Sequence, residues 1–219
     1  MTPQHDTRRT GRGTSWLSTV GGRGRGVWVG PLIAVVSLLL LSRAAGASAM
    51  AASTTAQWGT GVEAVLPANA AAGVQDPPLN SVSCASAGNC VAVGSYYDSS
   101  GSEQGVLLDE VSGQWSLGVE ATLPSNADTV PPDPFVTLSA VSCPSVGNCV
   151  AVGDYWGDNP YGLLLDEISG HWKAGAEASG PGGSGLPGGL SGVSCPSVGS
   201  CAAVGSGDGQ VYALDVDYP

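Results

Sequence analysis

The stretch VSCPSVGNCVAVGDYW, residues 141–156, joins two cysteines six positions apart to a run of apolar residues. Close copies stand at residues 82–97, VSCASAGNCVAVGSYY, and at residues 193–208, VSCPSVGSCAAVGSGD. A second landmark, a tryptophan, recurs at a constant spacing of 57 residues, at Trp58, Trp115 and Trp172. A fixed period of this length is typical of proteins built as a stack or ring of repeated structural units.

Within one unit the sequence predicts four antiparallel strands. LSAVSC (138–143) alternates small polar and apolar residues, PSVGN supplies turn residues, and CVAVG (149–153) is apolar on both faces. A third strand is predicted in YGLLLDEI (161–168), which corresponds to GVLLDEV (105–111). A Ser-Gly turn follows, and the fourth strand begins at the tryptophan.

Three such units predict an all-β protein of three four-stranded antiparallel blade-like repeats, the arrangement of a β-propeller. The repeat domain spans residues 57–219, with units at about 58–114, 115–171 and 172–219. Propeller blades pack face to face, so central strands that are apolar on both faces fit this fold. Helix is disfavoured by the 34 glycines and 15 prolines.

The array opens on a fourth strand at Trp58 and ends on a third strand in VYALDVDYP, so its two ends are complementary. Closed propellers have about four to eight blades, and three are too few to close. In one interpretation a homodimer completes six blades, with residues 58–66 of each chain beside residues 211–216 of the other. In the other, the chain is an open partial array with exposed strand edges.

Residues 1–49 predict a signal peptide or a membrane anchor. They hold six of the seven cations, most of them ahead of an apolar core at residues 27–41, and small residues follow, with Ala47 and Ala49 as the peptidase recognition pair. Cleavage after Ala49 would give a secreted protein. Since a membrane helix needs roughly 17 to 25 apolar residues and this core is slightly short, an uncleaved single-pass anchor with the repeat domain outside is the alternative.

The charge of the remaining chain excludes several classes of function. After residue 49 there is one cation, Lys173, against 17 carboxylates, and no arginine. Binding a phosphate backbone depends on lysine and arginine, so no nucleic-acid partner is expected. Contact with a membrane is expected only through the N-terminal segment, if it is uncleaved.

The six cysteines predict three local disulfides, because the same six-residue spacing recurs in each unit. Outside the cytosol such pairs oxidise. Zinc binding would need further cysteine or histidine ligands, and His171 is the one histidine after residue 49. We therefore expect no metal and no cofactor. The predicted bonds are Cys84 with Cys90, Cys143 with Cys149, and Cys195 with Cys201.

Residues 58–219 resemble the exported repeat proteins of actinobacteria whose units carry an SCPS…C.AVG phrase and a closing G.W. These proteins are grouped with sialidase-like and kelch-like propellers, so the resemblance implies a propeller-like fold. LDEVSGQW (108–115) is also similar to the Asp-box turn of sialidase blades, although its glycine-to-tryptophan spacing is one residue shorter. The resemblance implies the fold and not the activity, because a sialidase holds its acidic sugar with arginines.

Catalytic candidates are few. A Ser-His-Asp hydrolase needs an oriented imidazole, and His171 lies in a predicted hairpin turn. Two carboxylate pairs, Asp109-Glu110 and Asp166-Glu167, could serve a glycosidase. They recur at the same repeat position, which favours a structural role at the hairpin end. A carboxylate-dependent, glycan-active extracellular enzyme is therefore the alternative function.

The loops that follow AVG depart most from the repeat and contain the candidate binding residues. Two units carry an aromatic pair there, next to carboxylates and an amide, and the third unit carries none. Flat aromatic rings beside such groups suit a sugar or a protein ligand. The alternatives are that these rings fill gaps between blades, and that the chain is an inert partial array. The candidates are Tyr96, Tyr97, Asp98, Asp154, Tyr155, Trp156, Asp158 and Asn159.

Overall fold

The computed structural model describes residues 59–73, 77–128, 135–180 and 183–217. Within these ranges the chain forms thirteen strands and no helix, which confirms the all-β prediction. The predicted N-terminal signal or anchor helix and Trp58 lie outside the described residues. The described part contains no helical segment with the length and hydropathy needed to cross a membrane.

The strands form three antiparallel sheets in chain order. Sheet 1 contains β1 (Leu79–Ser86), β2 (Asn89–Tyr97), β3 (Glu103–Val111), β4 (Gln114–Trp115) and β5 (Val119–Glu120). Sheet 2 contains β6 (Val136–Ser145), β7 (Asn148–Trp156), β8 (Pro160–Ile168), β9 (His171–Trp172) and β10 (Ala176–Glu177). Sheet 3 contains β11 (Gly189–Ser197), β12 (Ser200–Gly207) and β13 (Gln210–Val216).

The first three strands of each sheet form the predicted meander, and in sheets 1 and 2 a tight turn joins the third strand to the fourth. The third hairpin of sheets 1 and 2 turns through Ser112-Gly113 and Ser169-Gly170, and all four residues have positive φ. Two consecutive positive φ angles are the mark of a type I′ turn, whose twist matches that of paired strands. The Ser-Gly pairs therefore set the register of the strands that follow.

The predicted fourth strand is present in sheets 1 and 2 but is interrupted. In sheet 1, β4 and β5 both pair with the edge of β3, and the chain leaves that edge between them. There the Gly118 N–H donates to the carbonyl of Val65 at 2.7 Å, and Gly175 does the same to Thr122 in sheet 2. The backbone at each interruption therefore bonds to the segment that leads into the same sheet. Among the described residues sheet 3 has no fourth strand.

The sheets pack face to face, with the first strands of successive sheets side by side. The Cys143 N–H donates to the hydroxyl of Ser83 at 3.0 Å, and the Cys195 N–H donates to Ser142 at the same distance. Apolar clusters fill both gaps between sheets, and β7, the central strand of sheet 2, is buried on both faces as predicted. The three sheets do not close into a ring within the described residues.

The glycine of each AVG phrase permits the first and second strands of a sheet to lie unusually close together. At Gly153 a Cβ atom would overlap the carbonyl oxygen of Thr137 on the neighbouring β6. The register of β6 shifts next to this point, between Leu138 and Ala140, as at a β-bulge. Only glycine allows the two backbones to approach so closely.

Candidate functional site

The two aromatic pairs stand at the ends of β2 and β7, and strand geometry separates the members of each pair. Successive side chains of a strand point to opposite faces. Accordingly Tyr96 and Tyr155 are fully buried, whereas Tyr97 and Trp156 are exposed. The structure therefore presents one aromatic ring of each pair to solvent and holds the other inside.

The buried tyrosines occupy repeated polar networks. The Tyr96 hydroxyl donates to the Glu120 carboxylate at 2.6 Å, and Asn69 Oδ1 lies 2.9 Å away as a second acceptor. Burial, followed by the Glu120 carboxylate, raises the pKa of the Tyr96 hydroxyl. The Tyr96 ring packs against the segment that leads into sheet 1, in a cluster with Ala64, Leu66 and Ala70.

Sheet 2 repeats the arrangement. The Tyr155 hydroxyl donates to Glu177 at 2.9 Å and lies 3.0 Å from Asn126 Oδ1. In sheet 3 a glycine, Gly207, stands at the corresponding position of the second strand, as the strand registers show. In each of the first two sheets the network therefore ties the segment that leads into the sheet to the last strand of that sheet.

Asp98 organises the loop between β2 and β3. Its Oδ1 atom accepts hydrogen bonds from the backbone N–H groups of Ser100 (2.8 Å) and Ser102 (3.0 Å), and Oδ2 accepts one from Gln104 (3.2 Å). Burial opposes ionisation of this carboxyl, but the hydrogen bonds outweigh it and lower the pKa of Asp98. The carboxylate shapes the loop.

The strongest candidate for ligand contact is an exposed aromatic pair at the end of sheet 2. Trp156 is 44% exposed and Phe135 is 41% exposed. Their ring centroids lie 6.3 Å apart with the planes at 62°, in an edge-to-face arrangement. Asp158 and Asn159, in the loop that follows Trp156, are also exposed. The four residues place apolar rings, a carboxylate and an amide at one end of one sheet.

Sequence reasoning missed Phe135, which immediately precedes β6. The signal that could have revealed it is the pairing of Val136 with Tyr155, which places the residue before Val136 next to Trp156. Phe135 is the chain's single phenylalanine, so no repeat marks it. It sits in a connection between units, whose length differs from unit to unit.

Asp154 lies two residues before Trp156 and faces sheet 3. A Cβ atom at Gly189 would come 3.1 Å from the Asp154 carboxylate, so β11 covers this side chain. Burial, with a smaller contribution from Glu103, raises the pKa of Asp154 to about 6. The carboxyl therefore ionises at a higher pH than an exposed aspartate does.

The three predicted disulfides are confirmed. Each joins the last part of a first strand to the start of the second strand of the same sheet, and the described residues contain no free cysteine. Local bridges of this kind are consistent with an extracellular protein. The bonds are Cys84–Cys90, Cys143–Cys149 and Cys195–Cys201.

A cavity of about 150 Å³ lies between sheets 1 and 2, beside two of the disulfides. Glu167 lines it and is 4% exposed, and its Oε2 atom has no hydrogen-bond partner among the described residues. Burial, reinforced by the Asp109 carboxylate, raises the pKa of Glu167 to about 7. Ligand sites usually enclose about 300–1,000 Å³. This carboxyl pair therefore occupies a gap smaller than an ordinary ligand site.

Asp109 and Asp166 occupy matching positions in sheets 1 and 2. Burial raises the pKa of both carboxyl groups, although a hydrogen bond from Trp172 opposes the shift at Asp109. The Oδ1 atom of Asp166 is buried with no partner among the described residues. These carboxyls lie at sheet interfaces and are not gathered in an open cleft.

Among the described residues no group of three or more histidine, cysteine, aspartate or glutamate side chains is placed to hold a metal ion. No protein-family model matches the chain, and no match was found among curated proteins or solved structures. The functional argument therefore rests on the exposed aromatic pair and the chemistry around it.

Proposed function

We propose that the protein is an exported, non-enzymatic binding module of propeller type, whose ligand is a carbohydrate or an extracellular protein. The observation that carries the proposal is the exposed pair of Trp156 and Phe135, with Asp158 and Asn159 exposed beside it. Exposed apolar patches with a polar rim mark interaction sites on soluble proteins. Repeated antiparallel sheets packed face to face support the propeller assignment.

The chemistry of this surface favours a neutral sugar. A pyranose ring offers an apolar face that stacks on an aromatic side chain, and hydroxyls that bond to carboxylates and amides. After residue 49 the chain carries one cation against 17 carboxylates, so acidic glycans would be repelled. A protein ligand with an apolar or basic surface is the second class.

Export is supported by the order of basic region, apolar core and small residues in residues 1–49, and by the three disulfides. The same segment, if uncleaved, would anchor the protein with the repeat domain outside. Both arrangements present the Trp156 surface to the cell exterior.

A glycan array tests the binding function. We expect the purified protein to bind neutral glycans, and Trp156→Ala and Phe135→Ala each to weaken binding about tenfold or more. Val146→Ala is the control, since Val146 is an exposed apolar residue of sheet 2 in the hairpin turn at the opposite end of β7. Absence of any glycan or surface-protein ligand, or equal binding by Trp156→Ala, would overturn the proposal and favour an inert array.

The enzymatic alternative draws on Glu167 and Asp109, because a carboxyl with a pKa of about 7 beside a second carboxyl is the pattern of a glycosidase acid. Incubation with pooled polysaccharides tests it. Release of reducing ends that is abolished by Glu167→Gln would establish the enzyme. The binding proposal predicts no release.

A further inference from the structure

Sheet 1 has an apolar groove of about 440 Å³ on the face that points away from sheet 2. Leu79, Val82 and Trp115 line it, and all three are exposed. In sheet 2 the corresponding residues are Leu138, Val141 and Trp172, as the strand registers show. These lie in or against the cluster that packs on sheet 1. The groove of sheet 1 is therefore equivalent to the surface by which sheet 2 packs on sheet 1. Among the described residues no sheet covers it.

Sheet 3 exposes the face that, in sheets 1 and 2, is covered by the next sheet. Val204 is 50% exposed, whereas its counterparts Val93 and Val152 in sheets 1 and 2 are 0% exposed because the next sheet covers them. Leu79 and Leu138 show the same contrast on the other side, at 48% and 0%. The exposed face of sheet 3 and the groove of sheet 1 thus correspond to the two halves of an interface that the chain forms twice internally.

At two positions of this face the apolar volume of sheet 3 is redistributed but conserved, whereas at a third position Ala202 stands where sheet 1 has the larger Val91. Sheet 1 places Gly105 and Leu107 on this face, and sheet 3 places Val211 and Ala213 at the same two positions. A valine and an alanine carry as many side-chain carbons as a glycine and a leucine. Since Val211 is 87% exposed, it forms a projection that an open groove could receive.

Polar groups at the internal interfaces also have counterparts on the two exposed faces. The bonds from Cys143 N–H to Ser83 and from Cys195 N–H to Ser142 join successive first strands. Ser83 and Ser142 stand at the same position of the repeat, and the equivalent serine of sheet 3 is Ser194, which is exposed. The corresponding N–H on the groove side belongs to Cys84.

The tryptophan series shows the same relationship. Trp172 Nε1 donates to Asp109 Oδ1 at 3.4 Å across the interface of sheets 1 and 2. Sheet 3 carries Asp215 at the position of Asp109, and it is exposed. The groove carries Trp115 at the position of Trp172. A donor and an acceptor of matching placement are therefore available on the two exposed faces.

We infer that the exposed face of sheet 3 docks into the groove of sheet 1 of a second copy of this chain, in the geometry by which sheet 2 docks on sheet 1. Under two-fold symmetry each copy gives its sheet 3 and receives its partner's, so six sheets close a ring of a size common among propellers. In this pair Trp115 bonds to Asp215 of the partner subunit. The N–H of Cys84 donates to Ser194 of the partner subunit.

The same docking supplies the missing edge of sheet 3. Val62 and Glu63 correspond in the repeat to Val119–Glu120, which pair with β3 in sheet 1. In the described structure Val62 is mostly exposed and neither residue belongs to a strand. In the pair, Val62 and Glu63 lie along β13 of the second copy and complete its sheet.

Sedimentation and light scattering test the inference on protein purified from a secreting bacterial host that expresses the full chain. We expect twice the mass of one chain. Val204→Asp and Leu79→Asp should each weaken association about tenfold or more, because each places a carboxylate in both interfaces of the pair. Val198→Asp is the control, since this exposed valine lies in the hairpin turn of sheet 3, off the face. It should leave the mass unchanged.

A mixing experiment distinguishes this docking from any other self-association. The two variants are damaged on different faces, so an equimolar mixture of Val204→Asp and Leu79→Asp retains one intact contact and should form mixed pairs more tightly than either variant alone. A monomeric wild type, association that neither variant lowers, or a mixture no tighter than its components would each overturn the inference. Equal thermal unfolding of the variants shows that they are folded, because both sites are exposed in a single copy.

Discussion

The indole N–H of Trp172 donates to the carboxylate of Asp109 over 3.4 Å, and the two residues belong to neighbouring sheets. Both are landmarks of the sequence repeat, one in the closing tryptophan phrase and one in the LDE phrase. Glu167, opposite Trp172 in the register, faces the same gap. The repeated residues therefore hold one sheet against the next, which is the structural role that their recurrence indicates.

Replacing Trp172 by phenylalanine should destabilise the protein by about 1 kcal/mol. The ring remains apolar, but the half-buried Asp109 carboxylate loses its indole donor. Urea unfolding followed by circular dichroism measures the loss. Trp156→Phe is the control, because that ring is 44% exposed and its removal uncovers no buried carboxylate. Equal effects of the two substitutions would contradict the assigned hydrogen bond.

Stability should fall as the pH rises from about 4.5 to about 7, because of Glu167. Its pKa is about 7 in the folded chain against an ordinary value of 4.5. Below pH 4.5 the carboxyl is protonated in both states and carries no penalty. Between the two values the unfolded chain loses the proton that the folded chain retains, so the free energy of unfolding decreases. Above pH 7 the buried charge persists.

The substitution Glu167→Gln should therefore raise the free energy of unfolding at pH 8 by about 1–2 kcal/mol and flatten the pH profile. At pH 4 it should have little effect, since the carboxyl is neutral there. Asp154, with a pKa raised to about 6, adds a smaller slope of the same sign that remains in this variant. Asp158→Asn, in the exposed loop, is the control. A Gln variant less stable than the wild type at pH 8 would contradict the burial argument.

Local features of the fold follow from the sequence because short-range chemistry determines them. The Ser112-Gly113 and Ser169-Gly170 pairs have the two positive φ angles that a tight hairpin needs, so the sequence alone predicts the turns. The cysteine spacing predicts each disulfide because both cysteines of a pair lie within one hairpin. The interrupted fourth strand was not predictable in detail, since it depends on a hydrogen bond from Gly118 to the distant Val65.

The candidate site depends on relationships between sheets and could be predicted only in part. In the sequence, Tyr155 and Trp156 are equally plausible ligand contacts. Their side chains point to opposite faces of the strand, and the packing of the fold decides which of them is buried. Likewise Glu167 and Glu110 occupy the same repeat position, but Glu167 is buried whereas Glu110 is only partly buried. Burial of this kind is a property of packing and is not encoded within one unit.

The buried tyrosine networks should contribute measurably to stability. Tyr155→Phe removes the hydroxyl that donates to Glu177 and lies beside Asn126, while the ring keeps its packing. We expect a loss of about 1–2 kcal/mol, because the acceptor is a carboxylate. Tyr212→Phe is the control, at a partly buried tyrosine of sheet 3 that lies outside both networks. Chemical denaturation at constant pH measures both variants. A Tyr155→Phe variant as stable as the wild type would show that the network does not stabilise the fold.

The Cys143–Cys149 disulfide should contribute more stability than Cys84–Cys90, although both close loops of the same sequence separation, six residues. The chain-entropy contribution is therefore equal for the two, at about 2 kcal/mol. The difference arises from burial, since Cys143 and Cys149 belong to the apolar cluster between sheets 1 and 2, whereas the other pair is only partly buried. Replacing both buried cysteines by alanine leaves an unfilled space and should cost about 1 kcal/mol more than the same change at the other pair.

Urea unfolding of the two double variants, at one protein concentration and pH, gives the comparison. Equal losses would show that loop closure alone accounts for the disulfides, and that the space around the buried sulfurs collapses when they are removed.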